Sequence, residues 1–164
     1  MWSLVRHQLD NARALATLDK GRPRQASLRR AVSTAYYALF QALCATCASE
    51  LVGWDKPWDT LTPVFRAVEH RAAAQALSQI GLSASPELLR LGFAFNELRS
   101  WREWADYNPE PRLNFEAARN ASPFARGEAI ALINLAEEAI AILDRLSGEE
   151  RLKLATRLVT RIRR

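Results

Sequence analysis

Residues 31–49, AVSTAYYALFQALCATCAS, run without a single charge, the longest such stretch in the chain. The run is almost long enough to cross a bilayer, but Ser33, Thr34, Gln41, Thr46 and Ser49 interrupt it and alanine dilutes it. A helix that is apolar on most sides is the expected central helix of a bundle. Leu28, Val32, Ala35, Leu39, Ala42 and Leu43 recur at helical spacing, and Tyr36, Phe40 and Cys44 widen the stripe. This helix is expected from about Gln25 to Val52. Gly53 ends it, and a loop with Trp54, Pro57 and Trp58 follows.

Working outward, a first helix is expected over Trp2 to about Asp19, with Val5, Leu9, Ala12 and Ala16 inward. Gly21 and Pro23 break it. Beyond the long helix, Thr60 or Thr62 is a candidate cap for a third helix, with Pro63 in its first turn. Its inward residues would be Val64, Phe65, Val68, Ala72 and Leu77, and Gly81 would close it. Ser85-Pro86 starts a fourth helix that must stop near Asn108, because Pro109 and Pro111 follow. Ser122-Pro123 repeats the start signal for a fifth, carrying Ile130, Ile133, Leu135, Ala136, Ile140 and Leu143 to about Leu146. Ser147 and Glu150 have capping-box spacing and open a basic helix at about 149–164. The expected fold is all-α, a single bundle of about five or six helices over residues 1–164.

Composition agrees. Against 28 Ala and 23 Leu stand only 6 Val and 6 Ile, a strong bias to helix. The net charge of +5 is uneven. Lys20, Arg22, Arg24, Arg29 and Arg30 form one acid-free basic segment, and Arg151, Lys153, Arg157, Arg161, Arg163 and Arg164 form another. Such segments attract polyanions or acidic partners, and they also arise as solvated helix ends. In the last helix, packing by Leu152, Ala155, Leu158 and Ile162 is favoured over contact with nucleic acid or a membrane. The opening MWSLVRHQLD lacks a signal peptide's apolar core, and two cysteines suit a reducing compartment. A soluble, cytoplasmic protein with no membrane partner is expected.

Few residues carry the motifs of known chemistry. Cys44 and Cys47 form a CxxC pair deep within the long helix, with no second pair, and read as small packing residues. His7 and His70 are the only histidines. His70, within RAVEHRAAA, is either a general base or a hydrogen-bonded structural residue, the latter being favoured. Phosphate-loop, GxSxG and HExxH motifs are absent. No metal and no cofactor are expected.

The informative segment is 98–109, LRSWREWADYNP. On a helix Arg99, Arg102 and Asp106 share a face, with Tyr107 beside them at the end. Two guanidiniums could hold a phosphate, one of them oriented by the carboxylate. The plainer alternative is an ordinary Arg102–Asp106 helix pair, with Trp101 and Trp104 as core or interface anchors.

RRAVSTAYYALFQAL at 29–43 resembles the long inner helix of the HEPN superfamily. WDTLTPVFRAVEH at 58–70 and NELRSWREWADYNP at 96–109 are similar to the later pattern of one bacterial HEPN subgroup, in which an arginine precedes Ala-Asp-Tyr. The likeness spans about residues 25–145. It implies a helical bundle that pairs with itself as a homodimer, often beside a minimal nucleotidyltransferase in a toxin–antitoxin or defence pair. Many such proteins are metal-independent ribonucleases whose active form has an arginine, four to six residues, then a histidine.

This chain departs from that pattern. Arg102 carries over, but Asp106 and Tyr107 stand where the histidine would be. A phenol is a poor base near neutrality. Whether the protein is an enzyme is therefore open. The leading expectation is a nucleotide- or RNA-phosphate-binding domain using Arg99, Arg102 and Tyr107, with Tyr36 and Ser33 from the inner helix. The alternatives are a divergent ribonuclease, with Arg102 and with Asp106 or Tyr107 in the histidine's place, and a non-catalytic interaction scaffold.

Overall fold

The computed structural model describes residues 2–81, 84–108 and 125–160. Among these, the chain forms seven helices and no strand: α1 (Ser3–Thr17), α2 (Gln25–Leu51), α3 (Trp58–Ala67), α4 (His70–Ser78), α5 (Pro86–Tyr107), α6 (Arg126–Arg145) and α7 (Gly148–Val159). The all-α bundle is as the alanine- and leucine-rich sequence dictates.

Helix α2 is the axis of the molecule and packs against α1, α3, α5, α6 and α7. Its uncharged run is buried nearly all round, including Tyr36, Leu39 and Leu43, each fully enclosed. The helix has the length and composition to cross a membrane, and 72% of its most apolar stretch is buried. Around it, α1 turns Val5, Leu9, Ala12 and Ala16 inward, the four positions its periodicity selects. Cys44 and Cys47 are buried and unbonded, and burial pushes each thiol up to about 12. Such thiols are inert packing groups.

Polar ties fix the outer helices. Arg13 of α1 reaches Glu137 of α6 with Nε at 2.9 Å from Oε1, and Arg151 of α7 reaches Glu50 of α2 at 2.8 Å. Helix α5 starts as expected, with Ser85 Oγ accepting from Leu88 N at 3.4 Å and Pro86 at the first position. The capping box at Ser147 and Glu150 is also formed.

Four local expectations need correction. The single third helix is two, α3 and α4, because Val68 and Glu69 are both extended. Val68 is buried, so seating its side chain in the core outweighs continuing the helix. Neither threonine caps α3: it begins at Trp58 behind Pro57, and Pro63 lies inside it. Ala72 faces outward, with Ala73 and Ala74 buried in its place. In α7, Leu154, Ala155 and Leu158 face inward while Leu152 is exposed. The start signal at Ser122-Pro123 and the basic residues beyond Thr160 lie outside the described residues.

Candidate functional site

The face of α2 that carries Ser33, Tyr36, Tyr37 and Phe40 meets two other elements, the first turn of α4 and the last two turns of α5. Spacings of three and four put these four α2 residues on one side. Opposite them α5 presents Arg99, Arg102 and Asp106, which share a face as their spacing requires, with Tyr107 beside them at the helix end. The first residue of α4, His70, fills the remaining corner.

Arg102 is the hub. Its side chain is only 15% exposed, and Nε lies 3.0 Å from Asp106 Oδ2. One terminal nitrogen, Nη2, donates to the Tyr37 hydroxyl. The guanidinium carbon stands 5.1 Å from the Tyr37 ring centroid and 5.7 Å from those of Tyr36 and Tyr107, within cation–π range of three rings. Nε is buried and has the Asp106 carboxylate as its ion-pair neighbour but makes no hydrogen bond. Hydrogen bonding by Tyr37 and the charge of Asp106 more than offset burial and hold the Arg102 pKa above its ordinary value.

Each partner of Arg102 is itself held. Ser33 Oγ donates to Asp106 Oδ1, so the carboxylate is fixed from α2 as well as from α5. Ser33 and Tyr36 are 1% and 0% exposed. Both side chains are turned inward, Ser33 onto Asp106 and Tyr36 onto His70. Tyr107 is the reverse case, 73% exposed with its ring open to solvent. Arg99 pairs with Glu103 at 2.6 Å and keeps about a third of its side chain exposed.

His70 is the residue that sequence reasoning undervalued. Its Nδ1 lies 2.7 Å from the Tyr36 hydroxyl, and its ring stacks on Phe40 with centroids 3.8 Å apart. The ring of Tyr37, whose hydroxyl accepts from Arg102, meets it edge-on at 5.8 Å. Burial first, then the charges of Arg102 and Arg99, hold the His70 pKa below the ordinary histidine range. The imidazole is therefore neutral at neutral pH, while Tyr36 fixes the ring and engages one of its two nitrogens. No spacing rule along the chain links His70 to Arg102, because an intervening helix and loop separate them.

Arg29 was also missed as a site residue, although it stands one turn before Ser33 on α2. It lies 4.7 Å over the Trp104 ring and donates from Nη1 to the Asn108 carbonyl at 2.6 Å. Its Nε and Nη2 are buried without a hydrogen bond. Its guanidinium is thereby held beside the end of α5. Trp104 thus supports a guanidinium, and Trp101 donates from Nε1 to Glu97 at 2.7 Å. Among the described residues no cluster of His, Cys, Asp and Glu could hold a metal ion.

This arrangement offers an oriented guanidinium, a second cation one turn away, an exposed aromatic ring and a neutral imidazole. Comparison of the chain with protein-family models, with curated proteins and with solved structures finds no match.

Proposed function

We propose that the protein is a HEPN-like helical domain that holds a nucleotide or RNA phosphate at the Arg99–Arg102–Tyr107 face of α5. The observation that carries this reading is the preparation of Arg102. Two helices fix its carboxylate partner, three rings surround it and it donates a hydrogen bond to the Tyr37 hydroxyl. A guanidinium ordered before binding loses little entropy when a phosphate arrives. Tyr107, exposed beside it, supplies the face on which a base stacks. In this reading the protein acts in the cytoplasm as a homodimer, within a toxin–antitoxin or defence module beside a nucleotidyltransferase. A labelled single-stranded RNA titrated against the wild type and against a protein carrying Arg99→Ala, Arg102→Ala and Tyr107→Ala tests it. Loss of binding in the triple variant is expected. Equal binding by both would refute the site.

A second reading, a metal-independent ribonuclease, is favoured by one observation: His70 lies in the same aromatic box as Arg102. Asp106 is committed to Ser33 and Arg102, which makes the neutral imidazole the better base. In that reaction His70 Nε2 takes the proton of a ribose 2′-hydroxyl as its oxygen attacks phosphorus. The bond from phosphorus to the 5′-oxygen breaks, that oxygen takes a proton from water, and a 2′,3′-cyclic phosphate remains. Arg102 stabilises the charge on the phosphoryl oxygens. RNA cleavage with a chelator present, abolished by Arg102→Ala and by His70→Gln, is the expected result. Cleavage by neither the wild type nor the variants leaves binding alone.

A further inference from the structure

Beyond the side of α2 that meets α4 and α5, its C-terminal half borders a separate cavity of about 560 Å³, within the roughly 300–1,000 Å³ of small-molecule sites. Ala45 of α2 and Ile140 and Leu143 of α6 give it an apolar floor, the alanine leaving room that a larger side chain would fill. Trp2 and Trp54 form an angled aromatic wall, with ring centroids 6.3 Å apart and planes tilted by 37°. Trp54 is 46% exposed although it has this partner, so its ring opens the wall to solvent.

The charges at the rim decide what fits. Glu50 is neutralised by Arg151, whose Nε lies 2.8 Å from Oε1 and whose Nη1 donates to the Leu146 carbonyl at 2.6 Å. Asp144 also lines the cavity, is exposed, and pairs with no cation among the described residues. The cavity thus has one uncompensated negative charge beside two indole faces. An anion would meet Asp144 repulsively, and a neutral ligand would shield the carboxylate from water without pairing it. A cation gains from both the carboxylate and the rings.

We propose that this cavity binds a small organic monocation, an ammonium group on a phenyl-sized apolar body, with the ammonium at Asp144 and the ring on the floor of Ala45, Ile140 and Leu143. The site is independent of the phosphate-binding reading and stands or falls alone. Calorimetric titration of the full chain with phenethylammonium and with its neutral isostere 2-phenylethanol tests it, on the wild type, Asp144→Asn, Trp54→Leu and Arg102→Ala. Each variant is first checked for a folded helical spectrum. Saturable binding of the ammonium below about 1 mM is expected, about tenfold tighter than the alcohol. Asp144→Asn should bring the ammonium to the alcohol's level and Trp54→Leu should weaken it, while Arg102→Ala changes nothing. Equal affinity of the wild type for the two compounds, no saturation, or an Asp144→Asn protein that binds the ammonium as before would overturn it.

Discussion

His70 and Arg102 sit on different helices, and what joins them is a pair of neighbouring tyrosines. Tyr36 takes the imidazole and Tyr37 takes the guanidinium, so consecutive residues of α2 hold the two groups in one box. The sequence reading found the arginine because Arg102, Asp106 and Tyr107 are close along one helix. It could not find the histidine's place, since that depends on where α4 docks. Folding also changes how readily His70 takes a proton. Its pKa is lower folded than unfolded, so the unfolded chain binds more protons between the two values, and stability falls as pH falls through that window. The expected consequence is a urea midpoint that declines as pH falls below about 6.5, the ordinary histidine value. His70→Gln should flatten the decline. The same slope in both proteins would show that His70 is not held neutral by the fold.

At the scale of elements, α4 packs closely on α5. Gly92 of α5 faces the α4 backbone, and a Cβ added there would lie 2.9 Å from the Leu77 carbonyl oxygen. A helix interior ordinarily prefers alanine to glycine by about 1 kcal/mol. Here the obstacle is a backbone oxygen that cannot rotate away, and overpacking costs about 1–3 kcal/mol. Gly92→Ala is therefore expected to lower the thermal midpoint, which circular dichroism at the helical band will read. A raised midpoint would mean that α4 can back away from α5 freely, and His70 would then not be rigidly placed. The break between α3 and α4 was not legible because no glycine or proline marks it. Val68 leaves the helix to bury its side chain, an effect of tertiary packing on a residue whose local signal is neutral. The caps at Ser85 and Ser147 were legible because a hydroxyl, a proline or a glutamate at fixed offsets acts locally.

For the whole molecule, one long apolar helix organises two opposite-sided features. The N-terminal half of α2 meets α4 and α5 at the arginine–tyrosine cluster, and its C-terminal half meets α1, α6 and α7 at the aromatic cavity. The bundle was readable from the uncharged run at 31–49 and the alanine–leucine excess, since both act through helix propensity and burial alone. The cavity was not, because it is made by side chains from α1, α2, α6, α7 and a loop that share no spacing. The proposed function requires that Arg99 and Arg102 face phosphate while Tyr107 faces a base. The most direct test is the salt dependence of affinity for a short single-stranded RNA, compared among the wild type, Arg99→Gln, Arg102→Gln and Tyr107→Ala. Each arginine lost from a phosphate should make the log–log slope shallower by about 0.7. Tyr107→Ala should lose about 1–3 kcal/mol of affinity with the slope unchanged. Slopes that stay the same in both arginine variants would contradict the claim.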